Sequence, residues 1–334
     1  MEGATTMKKL YEEVELEVVR FGSEDVITAS QEDDGRNNGG SYTVTEQQSA
    51  TDPTTGTTPC GPVPIRVGPK HSTADSCSCL PFFHRMRGSP MDGVYRFAEL
   101  NIAVRSLFRD VHDYCAEFHT DAEADFAVET SAEDIAFERT RAAASDAALG
   151  RPSRAYTDGY LEELAVYRKI AERLPLYDTV LFHGSALAAD GEGYLFTAPS
   201  GTGKSTHARL WRELLGDRVV MINDDKPLLR VTEEGVTVYG TPFRGKHGLG
   251  GDVSAPLRSI GLLSRGEEND VRTITASDAF PRLLRQVYRP SDGPALKATL
   301  AILERLARTV RFFDMKCNTD VSAAAAAFGA MSKG

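Results

Sequence analysis

Residues 198–211, APSGTGKSTHARLW, combine residue types that suit a phosphate chain. Set against the pattern G-x-x-x-x-G-K-[ST], the stretch departs only at its first position, where Ala198 stands in place of glycine. Gly201 and Gly203 let consecutive backbone amides turn toward an anion. Lys204 supplies a point charge for terminal phosphates. Ser205 is a hard oxygen ligand suited to Mg²⁺, a cation that keeps most of its waters and takes few protein ligands. The binding loop would therefore run through Ser200, Gly201, Thr202, Gly203, Lys204, Ser205 and Thr206. A glycine-rich strand-to-helix turn without a ligand would account for the glycines, but not for the Lys-Ser pair beside them.

Other stretches carry compatible chemistry. VVMINDDKPLL brings Asp224 and Asp225 to a strand end, twenty residues after Lys204. One carboxylate could hold Mg²⁺, directly or through water, while the other accepts the proton of an attacking hydroxyl. Adjacent acids at a strand end are otherwise a solvated turn. In GTPFRGKHGLG, residues 240–250, Arg244, Lys246 and His247 sit among glycines and offer donors to a charged ligand. A solvent-exposed basic turn is the alternative. His183 in FHGSA lies where a preceding hairpin should pass the loop, although a lone histidine is as readily structural, and Arg289 in QVYRP is a weaker candidate.

These residues need elements to hold them. GYLFTA, residues 193–198, reads as a short buried strand, and STHARLWRELLG continues as a helix ending at Gly216. The N-terminal amides and positive dipole end of that helix would face the phosphates. TVLFHGSALAADGEGYLFTA gives two apolar runs around DGEG, a hairpin signal, and VVMINDD reads as a further buried strand. Upstream, YRFAELNIAVRS and ADFAVETS read as strands of a smaller leading domain. DGYLEELAVYRKIAERLP reads as a helix with Leu161, Leu164, Ile170 and Leu174 near one face and Pro175 at its end. ALKATLAILERLARTV is amphipathic, with Leu296, Leu300, Leu303 and Leu306 as its core face. The fold class expected is α/β.

Composition narrows the function classes. The chain has 334 residues, 41% of them hydrophobic, and a net charge of −10, which argues against a nucleic-acid binder. No apolar run approaches a membrane span, and the acid-rich start does not resemble a signal peptide. Five cysteines, an odd number, give no closed disulfide framework, so a reduced, cytoplasmic protein is expected. Between Ile27 and Ile65 there is no Leu or Ile, and residues 31–90 read as a disordered linker or core-peptide tract. Ahead of it, EVELEVVRF alternates Val14, Leu16 and Val18 with Glu13, Glu15 and Glu17, the period of a strand.

Taken together, FHGSALAADGEGYLFTAPSGTGKSTHARLW and NDDKPLL resemble the HPr kinase/phosphorylase group and the nucleotide-binding core of phosphoenolpyruvate carboxykinases. Residues 91–334 look still more like clostridial carboxykinase-like, HPr-kinase-related proteins, through YRKIAERLP, GTPFRGKHGLG and QVYRP. The resemblance implies a small N-terminal α/β domain at 91–175 and a P-loop kinase domain at 176–334. It implies ATP and Mg²⁺ as cofactors, with Lys204 on the phosphates. Mg²⁺ would sit on Ser205 and one of the Asp pair, Asp225 being the one taken, and the other Asp would be the base. His183 would lie near the transferred phosphate, Arg244 would join the catalytic set, and Arg244, Lys246 and His247 would bind substrate. Two departures weigh against a close family assignment: Ala198, and the lack of the later substrate-binding signature of HPr kinases.

MKKLYEEVELEVVRFGSEDVITAS resembles the leader of clostridial precursor peptides for ribosomally made, modified natural products, which makes residues 1–30 a leader-peptide-like segment. Residues 7–30 would then be a recognition strand for the sheet edge at 91–150. With Met7 and Met91 each readable as a start, the chain reads as a precursor peptide joined to the kinase that modifies it. The function expected is transfer of phosphate from ATP to a Ser/Thr hydroxyl of a peptide or protein, with neither nucleic acid nor membrane as partner and a homo-oligomer left open. A nucleotide-gated peptide-binding scaffold, or a small-molecule kinase or carboxykinase-like enzyme, are the alternatives.

Overall fold

The structure is a computed structural model that describes residues 90–333 apart from Leu149, Arg151, Ser153 and Lys246. The leader-like segment at 7–30, most of the tract at 31–90 and Lys246 therefore lie outside the described residues.

YRFAELNIAVRS alternates, but it turns back on itself. Strands β1 (Met91–Phe97) and β2 (Leu100–Ser106) pair antiparallel across Ala98 and Glu99, whose φ values of 49° and 65° make the two-residue left-handed turn that suits the twist of a hairpin. Strand β3 (Phe126–Glu129) lies parallel to β2. Tyr95, Phe97, Ile102, Val104, Phe126 and Val128 all turn to one face, the expected period of two. Helices α1 (Arg109–Tyr114), α2 (Ala132–Ala148) and α3 (Asp158–Arg173) accompany this sheet.

The side chain of Thr157 caps α3 by accepting from Tyr160 N at 3.2 Å, and Pro175 turns its end into a 3₁₀ segment at Leu174–Tyr177. Its buried face is Leu161, Ala165, Val166 and Ile170, with Leu164 only half-buried. Val166, Tyr167 and Ile170 share one apolar cluster with Ile102 of the small sheet and with Leu181, Leu228 and Tyr288 further along the chain.

Leu181 and Leu228 belong to a nine-stranded sheet. Its strands are β4 (Thr179–Leu181), β5 (Ser185–Ala189), β6 (Glu192–Thr197), β7 (Val219–Asn223), β8 (Leu228–Val231), β9 (Val236–Tyr239), β10 (Ser254–Arg265), β11 (Asp270–Ile274) and β12 (Arg311–Cys317). The order is β4-β8-β9-β10-β6-β5-β7, with β12 parallel to the C-terminal half of β10 and β11 outside it. The helices are α4 (Lys204–Leu215), α5 (Ala276–Leu284), α6 (Gly293–Thr309) and α7 (Val321–Met331). Alternation along β6 sends Leu195 into a core with α5 and α6, and Tyr194 and Phe196 into another with α4 and α7. Helices on both faces of a sheet make this a layered α/β architecture.

Two details differ from the sequence pattern. VVMINDD is not a buried interior strand: β7 is the last strand on its side, Val220 is 49% exposed, and only Ile222 and Asn223 are fully buried. The core face of α6 is rotated toward Ile302, Leu303, Leu306 and Ala307, leaving Leu296 half-buried. Among the described residues no helix is long and apolar enough to cross a membrane.

Trp211 fastens α4 to the sheet, with Tyr194, Phe196 and Phe328 rings 4.9, 5.2 and 5.3 Å away. Trp211→Ala is expected to cost about 3–5 kcal/mol, the range for deleting a buried aromatic. A urea midpoint unchanged from the parent protein would contradict this.

Candidate active site

Strand β5 runs antiparallel to both β6 and β7, so β6 and β7 end at the same edge of the sheet. Register puts Phe196 opposite Ser185 and Asn223 opposite Ala186. The loop after β6 and the Asp pair after β7 thus flank the start of β5, one strand apart on either side.

The loop closes on itself first. Both the backbone N–H and the hydroxyl of Thr202 donate to the Pro199 carbonyl, at 3.3 and 2.8 Å. Gly201 and Gly203 take φ values of 73° and 119°, which a side chain would resist. Gly203 is the N-cap of α4 and offers no capping side chain, so no side-chain cap stands between the first turn of α4 and an anion. Lys204 is buried, and its ammonium donates to the carbonyls of Ala198 at 3.0 Å and Pro199 at 3.4 Å.

Across β5, Asn223 organises the turn that carries the acids. Its carbonyl oxygen accepts from the N–H groups of Asp225 (2.8 Å) and Lys226 (2.6 Å), while its amide donates to Thr241. The two carboxylates then part company. Asp224 is buried and accepts from the Ser185 hydroxyl at 2.8 Å, with the Ser205 hydroxyl as a second partner. Burial raises its pKa above the ordinary carboxylate value, against the lowering effect of the two hydroxyls. Asp225 instead pairs with the Lys226 ammonium at 2.8 Å and stands 3.7 Å from His183 Nε2.

His183 is held from both ends. Its N–H donates to the Gln286 carbonyl at 2.7 Å, its own carbonyl accepts from Thr197 Oγ1 at 2.8 Å, and Nδ1 lies 3.0 Å from Gln286 Oε1. With Oε1 as acceptor, Nδ1 carries the proton and Nε2 presents a lone pair toward the pocket. Burial, then the charges of Lys204 and Lys226, push its pKa down to about 3 despite Asp225. The ring is neutral at physiological pH.

A cavity of about 300 Å³ is lined by His183, Ser200, Gly201, Gly203, Lys204, Ser205, Thr206, Asp224, Asp225, Gly245 and His247. Most of the residues singled out from sequence therefore meet in one place. Thr202 and Arg244 do not line it. Arg244 is paired with Glu117, and its Nε lies 3.4 Å from the Thr241 carbonyl. Buried Arg289 donates to the Leu284 carbonyl at 2.9 Å and likewise lies outside the lining. Of the glycines in the 240–250 loop, Gly245 lines the cavity, while Gly240 and Gly250 serve the protein's own packing. A Cβ on Gly240 would stand 1.8 Å from the Gly251 carbonyl oxygen, and one on Gly250 2.3 Å from that of Ile222. Ser185, Lys226, Gln286 and Asn223 were not singled out from sequence. Ser185, two residues after His183, and Asn223, directly before the Asp pair, at least carried a positional signal.

Among the described residues, no group of three or more His, Cys, Asp and Glu side chains is arranged as a metal cage. One serine hydroxyl and one carboxylate, with the remaining positions left to phosphate oxygens and water, is a donor set that fits Mg²⁺. The neighbour to Ser205 is Asp224, although Asp225 was the acid taken above for the metal, the likeness itself implying only one of the pair.

No protein-family model matches the chain, and no curated protein matches it. Among solved structures, the Hpr(Ser) kinase/phosphatase from Coxiella burnetii aligns with 38% of this chain and 96% of its own, at 17% identity and a TM-score of 0.21. At that score the likeness carries no fold assignment.

The neutral histidine makes a pH prediction. The folded-state pKa of about 3 lies below the ordinary 6.5, so between those values the unfolded chain takes up a proton that the folded chain does not. The contribution of His183 to stability is complete above pH 6.5 and declines as the pH falls through that window. His183→Gln should lose less stability than the parent between about pH 6.5 and 4.5, read by urea melts at each pH. Parallel losses in both proteins would contradict the neutral, buried assignment.

Proposed function

We propose that the chain is an ATP-dependent phosphotransferase of the P-loop kind whose acceptor is a hydroxyl group. One observation carries the proposal: a lysine and serine opening a helix face two differently partnered carboxylates and a neutral histidine across a single cavity. Lys204 and the first amides of α4 would bind the phosphates. Ser205 and Asp224 would hold Mg²⁺, which when bound neutralises charge on the phosphate oxygens. Asp225 is the better base, because it is half-buried beside Lys226 Nζ and 3.7 Å from His183 Nε2, whereas Asp224 is taken up by the hydroxyls of Ser185 and Ser205. The acceptor oxygen forms a bond to the terminal phosphorus as the bond to the leaving ADP oxygen breaks, and the acceptor proton passes to Asp225. His183 Nε2, unprotonated, can accept a hydrogen bond from the incoming hydroxyl and help to orient it.

The acceptor class that sequence likeness favours is a Ser/Thr hydroxyl on a peptide or protein, with residues 7–30 as the recognition segment. β3 pairs only with β2 among the described residues, which leaves one side of a short edge strand open for such a segment. The test is incubation of the full chain with Mg-ATP, with ADP release and intact mass followed together. One added phosphoryl group and matching ADP, both lost in Lys204→Ala, is the expected outcome. ATP binding with neither product would favour a nucleotide-gated scaffold. ADP formed only when a small hydroxyl compound is added would favour a small-molecule kinase.

A further inference from the structure

Strand β10 ends beside the phosphate loop because it pairs parallel with β6, and its last residue is Arg265. The guanidinium reaches back to that loop. Nη2 donates to the Gly201 carbonyl, and Nε lies 3.3 Å from the Thr202 carbonyl. Nothing in the sequence singled it out, since SRGEEN reads as an ordinary polar turn.

Two consecutive carbonyls gripped by one planar, forked cation have a consequence for the amides behind them. In a planar trans peptide, the C=O of one residue and the N–H of the next point in opposite directions. Holding the Gly201 carbonyl outward aims the Thr202 N–H inward, where it closes the turn onto the Pro199 carbonyl. Holding the Thr202 carbonyl outward aims the Gly203 N–H toward the cavity that Gly203 lines. Gly201 and Gly203, both at positive φ, are the residues about which these peptide planes could most easily flip. Free rotation there would have to be frozen by each arriving ligand.

We propose that Arg265 is a positioning residue that presets the peptide planes of the phosphate loop from its outer side, so that the anion meets amides already aimed. The inference rests on the phosphate-binding reading of residues 198–206. It does not require Arg265 to touch the nucleotide. The ligand class concerned is the polyphosphate chain itself, whatever base it carries.

The test is calorimetric titration of the full chain with Mg-ADP and, separately, with Mg-tripolyphosphate. Arg265→Ala, Arg265→Lys and Lys204→Ala are compared with the parent. Arg265 is exposed, so its replacement should leave the thermal midpoint in place. Arg265→Ala should weaken both ligands about tenfold, the scale of a lost charge-assisted hydrogen bond, and Arg265→Lys, a single point charge, should restore only part. Weakening of Mg-ADP alone would mean that Arg265 meets the base or ribose, and would overturn the proposal. If Lys204→Ala weakens both ligands while Arg265→Ala weakens neither, the positioning role fails and the phosphate site stands. If neither variant changes either affinity, both readings fall. A loss of affinity in Arg265→Ala that tracks an equal loss of thermal stability would mark a merely structural contact, and would also overturn the proposal.

Discussion

Two adjacent carboxylates leave the end of one strand, and they cannot share one environment without each raising the other's pKa. The structure separates them. Asp224 goes to the hydroxyls of Ser185 and Ser205, and Asp225 to the ammonium of Lys226 beside a neutral His183. The separation depends on the buried amide of Asn223, which takes up two successive N–H groups and bends the chain so that the side chains diverge. Division of labour between the acids therefore begins with a backbone turn. Chemistry follows from it: a carboxylate beside a loop serine suits metal holding, whereas a carboxylate set between a lysine and a neutral histidine at the cavity is placed to take a proton.

The sheet makes that turn face the loop. A single antiparallel strand, β5, sits between β6 and β7 and contributes Ser185 from its first position, within reach of Asp224. Because β7 is the edge, its end can be approached from outside. The glycine-rich loop after β9 does so, with Gly250 bridging to Asn223 and Leu249 accepting from the Asp224 N–H. Ion pairing of Arg244 with Glu117 and the Asp252 N–H on the same carboxylate tie this loop to the segment after α1. Loop, acids and leading segment are thereby mechanically connected, and Arg244 is occupied by that connection in the arrangement seen.

What the sequence made legible was local. The run from β6 through the loop into α4 is written in contiguous residues: an apolar strand, two glycines at turns, Lys-Ser, then a helical period. The DGEG hairpin and α3 were readable for the same reason. Pairings between distant segments leave no such trace. Glu117 meets Arg244 across 127 residues, and Gln286 meets His183 across 103. Alternation in VVMIN marks a strand but cannot say whether it is an edge. Glycines in residues 240–250 look the same in sequence whether they admit a ligand or the backbone of β7, and the answer lies in the packing of Gly240 and Gly250. Likewise, nothing in NDD says which acid stands nearer Ser205.

A paired comparison tests which acid stands at the metal and which takes the proton. Asp224→Asn and Asp225→Asn are titrated with Mn²⁺ in the presence of nucleotide, read by electron paramagnetic resonance, and each is assayed for single-turnover transfer. The account predicts weakened Mn²⁺ binding in Asp224→Asn, and near-parental metal affinity in Asp225→Asn with transfer slowed by roughly 10²–10⁴. The reverse pattern, with the metal defect in Asp225→Asn and near-parental transfer there at saturating metal, would contradict it.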